Sequence, residues 1–358
     1  MKTNTYRSIR HRTGASALLI SFVLAILGFT EHRAEAKKLN VVATIPTYGA
    51  IAKVIAGDRA VVRSLARGYE DPHFVRPKPS LAILLEHADL LVSTGLDLEL
   101  WLPTLLDKAN NPNIRSGQPG FVSVSKGIHL LEKPKIISHS EGGVHIYGNP
   151  HIYTGPLNGK IIARNIMIGL KKLDPAGTAT YEKNYKRFTR QVDEHLFGKP
   201  LLKILGSLTL NKLALSGKLV SFLKSKSFRG KKLITHLGGW MKLGLPLRDL
   251  KIIAYHKNWA YFTQIFGMNI IDYVEPKPGI PPSPGHVAEV IGKMKSNHIT
   301  VLLAGNYYAT SKVKRIAQKV SAHAAIVPLS VEGDKKTPTF FTFFDVVLRR
   351  LLAAAAAR

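Results

Sequence analysis

Two long stretches of the sequence alternate short apolar runs with longer segments of helical periodicity, and this alternation limits the possible folds most strongly. The first stretch, 39–124, predicts four strands separated by three helices, and the second, 250–353, predicts four strands and four helices. Consecutive parallel strands need a crossover helix, so the alternation indicates parallel sheets covered by helices on both faces. We therefore expect an α/β protein with two lobes, 37–173 and 249–358.

A helical region lies between the two stretches. Apolar residues recur at helical spacing in 158–173, and 176–197 reads as a second, mostly charged helix with a one-sided apolar stripe. Such a stripe is typical of a helix that lies across two lobes, and we assign 174–198 to a linking backbone helix. Residues 199–248 show no clear period, and we expect an insertion whose structure the pattern does not predict.

The first 36 residues have the pattern of a secretion signal. Basic residues precede an uncharged apolar run at 15–29, and Ala34-Glu35-Ala36 is a small-x-small cleavage site. The apolar run is shorter than the ~20 residues that a membrane-spanning helix needs. The sequence therefore predicts a signal peptide at 1–36 and a periplasmic location, with an uncleaved N-terminal anchor as the alternative.

The sequence contains no Cys. We therefore expect a free, soluble form without a lipid-attachment Cys after the signal. Disulfides, Cys-ligated metal sites and a Cys nucleophile are also excluded.

The formal net charge of +28 is high. A charge of this size is compatible with binding to nucleic acid or to an anionic membrane surface. The Lys and Arg residues are, however, spread along the whole chain, and the densest stretch, 218–232, contains only two aromatic residues. We interpret 218–232 as a solvated loop and, given the export signal, expect no nucleic-acid partner.

Three of the 14 His residues stand apart by their context. His73 follows Glu-Asp-Pro after a predicted strand, His151 follows Gly-Asn-Pro, and His256 comes at the end of a strand. Ligands of open α/β sheets bind at the carboxyl ends of strands, and neutral imidazole is a good ligand for Zn²⁺. The spacing alone leaves open whether these His form a metal site or are separate surface residues.

Several motifs resemble those of the solute-binding proteins of bacterial zinc and manganese ABC importers, and the resemblance extends over 39–352. The matching pieces are Asp71-Pro72-His73 with Pro79-Ser80, the Gly-Leu-Asp-Leu-Glu-Leu-Trp run at 95–101, Gly148-Asn149-Pro150-His151, the Tyr-His-Lys-Asn-Trp-Ala-Tyr-Phe run at 255–262 with Phe266-Gly267, and the Glu-Pro-Lys-Pro-Gly-Ile run at 275–280 with Pro282-Ser283-Pro284. Together, and in this order, they are specific.

The resemblance implies two lobes joined by a single long backbone helix, with the metal in the cleft between them. It implies that His73 and His151 are the first two ligands and that His256 is the third. A His at the third position is similar to zinc-type members, whereas manganese-type members tend to place a carboxylate there, which suits the harder Mn²⁺. The resemblance thus implies a monomeric zinc-binding protein, with manganese as the weaker alternative, that delivers its ion to an ABC importer permease.

The fourth ligand departs from the family pattern. Ala309 stands where such proteins often have a carboxylate, so the fourth position is left to water, Glu70 or Asn306. The long His-rich loop of some zinc members is also missing, and only His139 and His145 hint at it.

Two other functions are considered beside metal capture. A zinc-dependent hydrolase would need a general base near the metal, and no His-Glu-x-x-His motif is present. An adhesion or interaction protein could use the same fold, since fold does not determine function. We expect a protein that is not an enzyme.

Overall fold

The structure is a computed structural model that describes residues 1–3, 5, 37–134 and 145–357. Almost all of the predicted signal peptide, and His139, lie outside the described residues. Every described helix and strand belongs to one compact unit, Lys38–Arg358. Among the described helices, none combines the length and the apolar character needed to cross a bilayer.

The N-terminal lobe is built on a four-stranded parallel sheet with the strand order β2-β1-β3-β4. Its strands are β1 (Leu39–Ala43), β2 (Ala60–Ser64), β3 (Leu90–Ser93) and β4 (Phe121–Ser123). Its helices are α1 (Pro46–Ala56), α2 (Pro79–Glu86) and α3 (Leu102–Ala109). All four residues of β3 are buried, as expected of a central strand covered on both faces.

Two long helices follow and connect the lobes, α4 (Asn158–Leu173) and α5 (Thr178–Phe197). The predicted bounds of α4 are confirmed, whereas α5 begins two residues later than predicted because a 3-10 turn occupies Pro175–Gly177. The apolar stripe of α5 is buried, and α1 packs against both long helices. The predicted linking helix is therefore present as one continuous element.

The start of α5 is tied to the N-terminal lobe by Asp174. Its carboxylate accepts two hydrogen bonds from the Arg59 guanidinium, at 2.6 and 2.8 Å, and a further one from the Tyr181 hydroxyl. These hydrogen bonds, above all those from Arg59, hold the pKa of Asp174 at about 2. A carboxylate with a lowered pKa stabilises the fold above its unfolded pKa near 4, and this contribution disappears as the pH falls towards 2.

We expect Asp174→Asn to lower the free energy of unfolding by about 1 kcal/mol at pH 7, a modest value because the pair is partly exposed. The difference from the parent should shrink as the pH falls from about 4 to 2. Urea unfolding across this pH range measures it. The exposed Asp107, paired with Arg115, offers a matched control, and Asp107→Asn should have almost no effect. An Asp174→Asn effect that does not depend on pH would contradict the assignment.

The insertion at 199–248 is folded. It contains α6 (Lys199–Leu215), α7 (Leu219–Ser225), a short antiparallel hairpin of β5 (Ser227–Phe228) and β6 (Lys231–Lys232), and α8 (Gly239–Leu243). The interpretation of 218–232 as a solvated loop is wrong for its first half, because Leu219, Val220 and Leu223 bury one face of α7.

The C-terminal lobe repeats the first architecture, with a four-stranded parallel sheet in the order β10-β9-β7-β8. Its strands are β7 (Lys251–Ala254), β8 (Asn269–Tyr273), β9 (Val301–Gly305) and β10 (His323–Val327). Its helices are α9 (Ala260–Phe266), α10 (Pro284–Ser296), α11 (Thr310–Gln318) and α12 (Phe340–Ala356). Each of these elements begins and ends within a few residues of its predicted bounds.

The lobes also touch directly, away from the linking helices. A Cβ added to Gly68 of the N-terminal lobe would lie 2.2 Å from the backbone carbonyl carbon of Glu332, so the two backbones are in close contact. Nearby, the Thr47 hydroxyl lies 2.9 Å from that of Ser330 and accepts a hydrogen bond from the backbone N–H of Val331 at 3.1 Å. These contacts join the two lobes directly.

Candidate metal centre

Four buried His side chains meet between the two lobes. His73, His145, His151 and His256 each offer one ring nitrogen, and these nitrogens all lie within 4.8 Å of one another. His73 lies in the loop after β2, His145 and His151 in the segment after β4, and His256 two residues after β7. Parallel strands end at a common edge of their sheet, which brings such loops together. The three His expected from the sequence are therefore adjacent in the fold.

His145 is the member that the sequence reasoning missed. It follows neither a strand nor a recognised motif, and in the sequence it stood out only, together with His139, as a hint of a His-rich loop. Glu70, one of the residues considered for the fourth position, is not part of the cluster, and its carboxylate accepts a hydrogen bond from the backbone N–H of Arg67 at 2.9 Å. Asn306 donates its amide N–H to the Gly333 carbonyl at 2.7 Å.

His73 is oriented by the acidic residue of its own Asp-Pro-His motif. The Asp71 carboxylate accepts from the backbone N–H of His73 at 3.0 Å and from its ring Nδ1–H at 2.9 Å. A proton on Nδ1 leaves the lone pair of the ring on Nε2, which points into the cluster. A carboxylate–imidazole pair of this kind is the usual support for a metal-binding His.

His145 has the same kind of acidic neighbour. Its Nδ1 lies 3.4 Å from one carboxylate oxygen of Asp97, whose other oxygen accepts from the backbone N–H of Ile146 at 3.1 Å. With its proton on Nδ1, His145 also turns an Nε2 lone pair inwards, and this atom lies 3.3 Å from Nε2 of His73. Two facing lone pairs repel each other unless a cation lies near both.

The separation of 3.3 Å between these two nitrogens is informative. Two imidazole ligands that each bind Zn²⁺ at 2.0–2.1 Å in tetrahedral geometry have nitrogens about 3.3 Å apart. The His73–His145 pair thus already has the spacing of two ligands on one small cation.

His256 presents a nitrogen that has no protein partner. Its Nδ1–H donates to the backbone carbonyl of Glu275 at 2.8 Å, and its Nε2 is buried without a hydrogen-bond partner within the described part of the chain. The Glu275 side chain accepts from the backbone N–H of Gly279 at 3.1 Å and so stabilises its own loop. A buried, unpaired ring nitrogen is costly, and a metal ligand is its simplest explanation.

His151 is fully buried and is placed by the preceding Asn of its motif. The Asn149 side chain accepts from the backbone N–H of His151 at 2.9 Å and donates to the carbonyl of Lys257, in the second lobe, at 2.6 Å. The ring of His151 lies 3.2 Å from the Tyr153 hydroxyl through Nδ1 and 3.3 Å from the Asn258 amide through Nε2. The Gly-Asn-Pro-His motif therefore fixes both the ring and a contact between the lobes.

The surroundings of His151 and His256 favour the neutral form of these two rings. Burial holds the pKa of His151 well below its usual range, and burial, with a further contribution from His73, lowers the pKa of His256 to about 3. Both rings are therefore neutral at neutral pH. Neutral imidazole is the form that binds a metal, since a protonated ring has no free lone pair.

The loop at 305–310, where the family pattern predicts a carboxylate, contains no Asp or Glu. Ala309 is exposed at the start of α11, and the neighbouring Tyr307 lies with its hydroxyl 3.5 Å from the Asn258 side-chain oxygen. Among the described residues, the cluster contains no carboxylate. The arrangement can hold one divalent cation with four nitrogen ligands, of the number and type that suit tetrahedral Zn²⁺.

Comparison with known proteins agrees with this architecture. The sequence matches the family described as zinc-uptake complex component A, periplasmic, over residues 41–195 and 234–354, which leaves 196–233 outside the match. It is 32% identical over 182 residues to the metal ABC transporter substrate-binding lipoprotein ScbA of Streptococcus cristatus, covering 49% of this chain and 56% of the relative. It is 29% identical over 190 residues to the manganese ABC transporter substrate-binding lipoprotein PsaA of Streptococcus anginosus, covering 51% and 58%. The chain thus spans a little over half the length of these relatives.

Two solved structures share the fold. A crystal structure of a ZnuA deletion mutant with zinc bound has a TM-score of 0.65 and 22% identity, covering 90% of this chain and all of the other. The Mn-bound periplasmic metal-binding protein from Candidatus Liberibacter asiaticus has a TM-score of 0.61 and 20% identity, covering 89% and 100%. The expected two α/β lobes with a long linking helix are confirmed. The matched family consists of uptake components, and this confirms the expectation that the chain is not an enzyme. The chain belongs to the zinc-uptake complex component A family.

Proposed function

We propose that this protein captures one Zn²⁺ ion with His73, His145, His151 and His256 in the periplasm, as a single chain, and delivers it to the permease of an ABC importer. The observation that carries the proposal is the convergence of four buried imidazoles from three separate loops. Zinc is the cargo of the protein, so the site has to bind it tightly and also release it.

The choice of zinc rests on the ligand set. Mn²⁺ is a harder cation that favours oxygen ligands, whereas imidazole suits the borderline Zn²⁺. The relatives differ in the ion that their names or titles give, since the S. anginosus protein is named for manganese and the solved structures include zinc-, manganese- and cadmium-bound forms. For this chain, four nitrogen donors without a carboxylate in the described cluster support zinc.

Delivery to an importer is supported by the family and by the predicted signal peptide. The curated relatives are named as substrate-binding lipoproteins of ABC transporters, and the family description is periplasmic.

A hydrolytic role fits the site less well, because a catalytic zinc usually keeps an open position for water, whereas here a fourth His completes the cluster.

Competition between metals tests the proposed cargo. The chain from Lys37 onwards, which is the form that the predicted cleavage leaves, should bind one equivalent of zinc in elemental analysis. Manganese in about hundredfold excess should not displace the zinc, since nitrogen ligands bind Zn²⁺ more tightly than Mn²⁺ in the Irving–Williams order. Preferential binding of manganese from an equimolar mixture would contradict the choice of metal, and binding of neither ion would contradict the site.

A further inference from the structure

Residues 199–232 form a strongly basic segment of the surface. This segment contains nine Lys or Arg residues and no Asp or Glu. The nine are Lys199, Lys203, Lys212, Lys218, Lys224, Lys226, Arg229, Lys231 and Lys232. All nine are exposed, and the segment itself contributes no acidic side chain to offset their charge. The whole segment lies in the part of the chain, 196–233, that is left out of the family match.

The basic segment is an ordered platform, because its apolar residues are directed inwards. In the second half of α6, Leu210 and Ala214 are buried, and α7 buries Leu219 and Leu223. The base of the hairpin is closed by a backbone hydrogen bond of 2.9 Å from the N–H of Leu233 to the carbonyl of Lys226, the residue that follows α7. The charged side chains therefore extend from fixed positions.

Exposed apolar side chains are interspersed among these charges. Leu208 is 84% exposed and Leu215 is 46% exposed, on the side of α6 opposite its buried face. Phe228 is 39% exposed next to the turn of the hairpin, where the Arg229 guanidinium lies 5.3 Å from the centre of its ring. Single exposed apolar side chains are common on protein surfaces, but these three share one segment with nine cations, and a partner that is both anionic and apolar could contact both kinds of side chain.

We propose that the basic segment, 199–232, binds the surface of a bilayer that contains anionic phospholipids. Lys and Arg side chains are attracted to the phosphate-rich headgroup layer, while Leu and Phe side chains enter the boundary with the acyl chains. The hairpin around Phe228, with cations on both strands, and the exposed leucines of α6 supply both kinds of contact.

An acidic protein or a nucleic acid fits the segment less well. A surface that recognises a protein by charge usually carries residues of both signs, because the pattern fixes the orientation of the partner. The segment contains no Asp or Glu. Nucleic acid is bound by basic grooves with aromatic side chains for stacking, and only Phe222 and Phe228 are aromatic here.

Vesicle sedimentation tests the proposal with the chain from Lys37 onwards. Vesicles of phosphatidylcholine with about 30% phosphatidylglycerol should capture the protein at about 0.05 M salt, vesicles of phosphatidylcholine alone should not, and about 0.5 M salt should release it. Each Lys near an anionic surface strengthens binding about fivefold. The combined variant Lys224→Gln, Lys226→Gln, Lys231→Gln and Lys232→Gln should therefore weaken capture by at least about tenfold.

A matched variant removes four exposed lysines elsewhere, as Lys53→Gln, Lys172→Gln, Lys295→Gln and Lys319→Gln. It has the same net charge as the first variant and should keep most of the vesicle binding. Equal weakening in the two variants would overturn the proposal in favour of a diffuse effect of net charge. Absence of capture by anionic vesicles would also overturn it, and capture of an acidic polypeptide instead would assign the segment to a protein partner. Zinc binding should be the same in both variants, so this result is independent of the metal site.

Discussion

Replacing His151 with Ala should abolish tight zinc binding, with a loss in affinity of more than about a thousandfold. The loss of an outer partner that only orients a ligand costs about 10–100-fold, and the loss of the ligand itself should exceed this. His151 is fully buried and its backbone is fixed by Asn149, so no other side chain can take its place. His73→Ala and His256→Ala should behave similarly, because each removes a ring nitrogen held in position by a hydrogen bond on the opposite side of the ring. Isothermal titration calorimetry in the presence of a competing chelator measures the change.

The control for this series is His87→Ala, which removes an exposed His outside the cluster. It should bind zinc as the parent does. Thermal unfolding of the metal-free variants separates loss of a ligand from loss of the fold. Parent-like zinc affinity in any one of the three variants that remains folded would show that the corresponding His is not a ligand.

Replacing His145 with Ala should produce a smaller and different defect, with affinity lowered by about a hundredfold and zinc released faster. The three other His remain in position, and water can take the fourth place, as in zinc sites with three protein ligands. His145 is also held less firmly than they are. It lies in a segment without helix or strand, and its ring is 3.4 Å from its acidic neighbour Asp97, against 2.9 Å for His73 and Asp71.

Stopped-flow transfer of zinc to a chelator measures this release. His145→Ala should shorten the bound lifetime, and Asp97→Asn should do so to a lesser degree because it removes only the residue that orients the ring. If His145→Ala has the affinity and release rate of the parent, the fourth ligand is not His145. If it abolishes binding as completely as His151→Ala does, His145 is as essential as the other three.

Most of the fold follows from local sequence patterns. Buried parallel strands are continuous apolar runs, and the helix at 158–173 has a clean apolar period, so both were predictable with nearly correct bounds. The insertion was not, and Gly206 shows why. It adopts a positive φ of 73° inside α6, so the buried Leu201 and the buried Leu210 lie on two differently oriented helical segments that share no period.

The candidate site was predictable only where motifs mark it. His73 and His151 follow Pro in recognisable motifs, and His256 directly follows a strand. His145 has no such mark, because its place in the cluster depends on tertiary contacts, among them the position of Asp97 in another loop. Such long-range placement leaves no trace in local spacing. The resemblance implies a carboxylate at the position of Ala309, and no local pattern indicated that His145 would be the fourth member of the cluster.

The close backbone contact between Gly68 and Glu332 has a consequence for how the empty and the filled protein are told apart. Because the lobes are in backbone contact there and are also joined by α4 and α5, we expect the cleft to open and close little between the metal-free and the metal-bound protein. A membrane partner that accepts only the metal-bound form would then have to recognise a local change at the entrance of the cleft. Phe74 and Ile146, which follow two of the proposed ligands, are exposed at 56% and 41% and are positioned to contact such a partner.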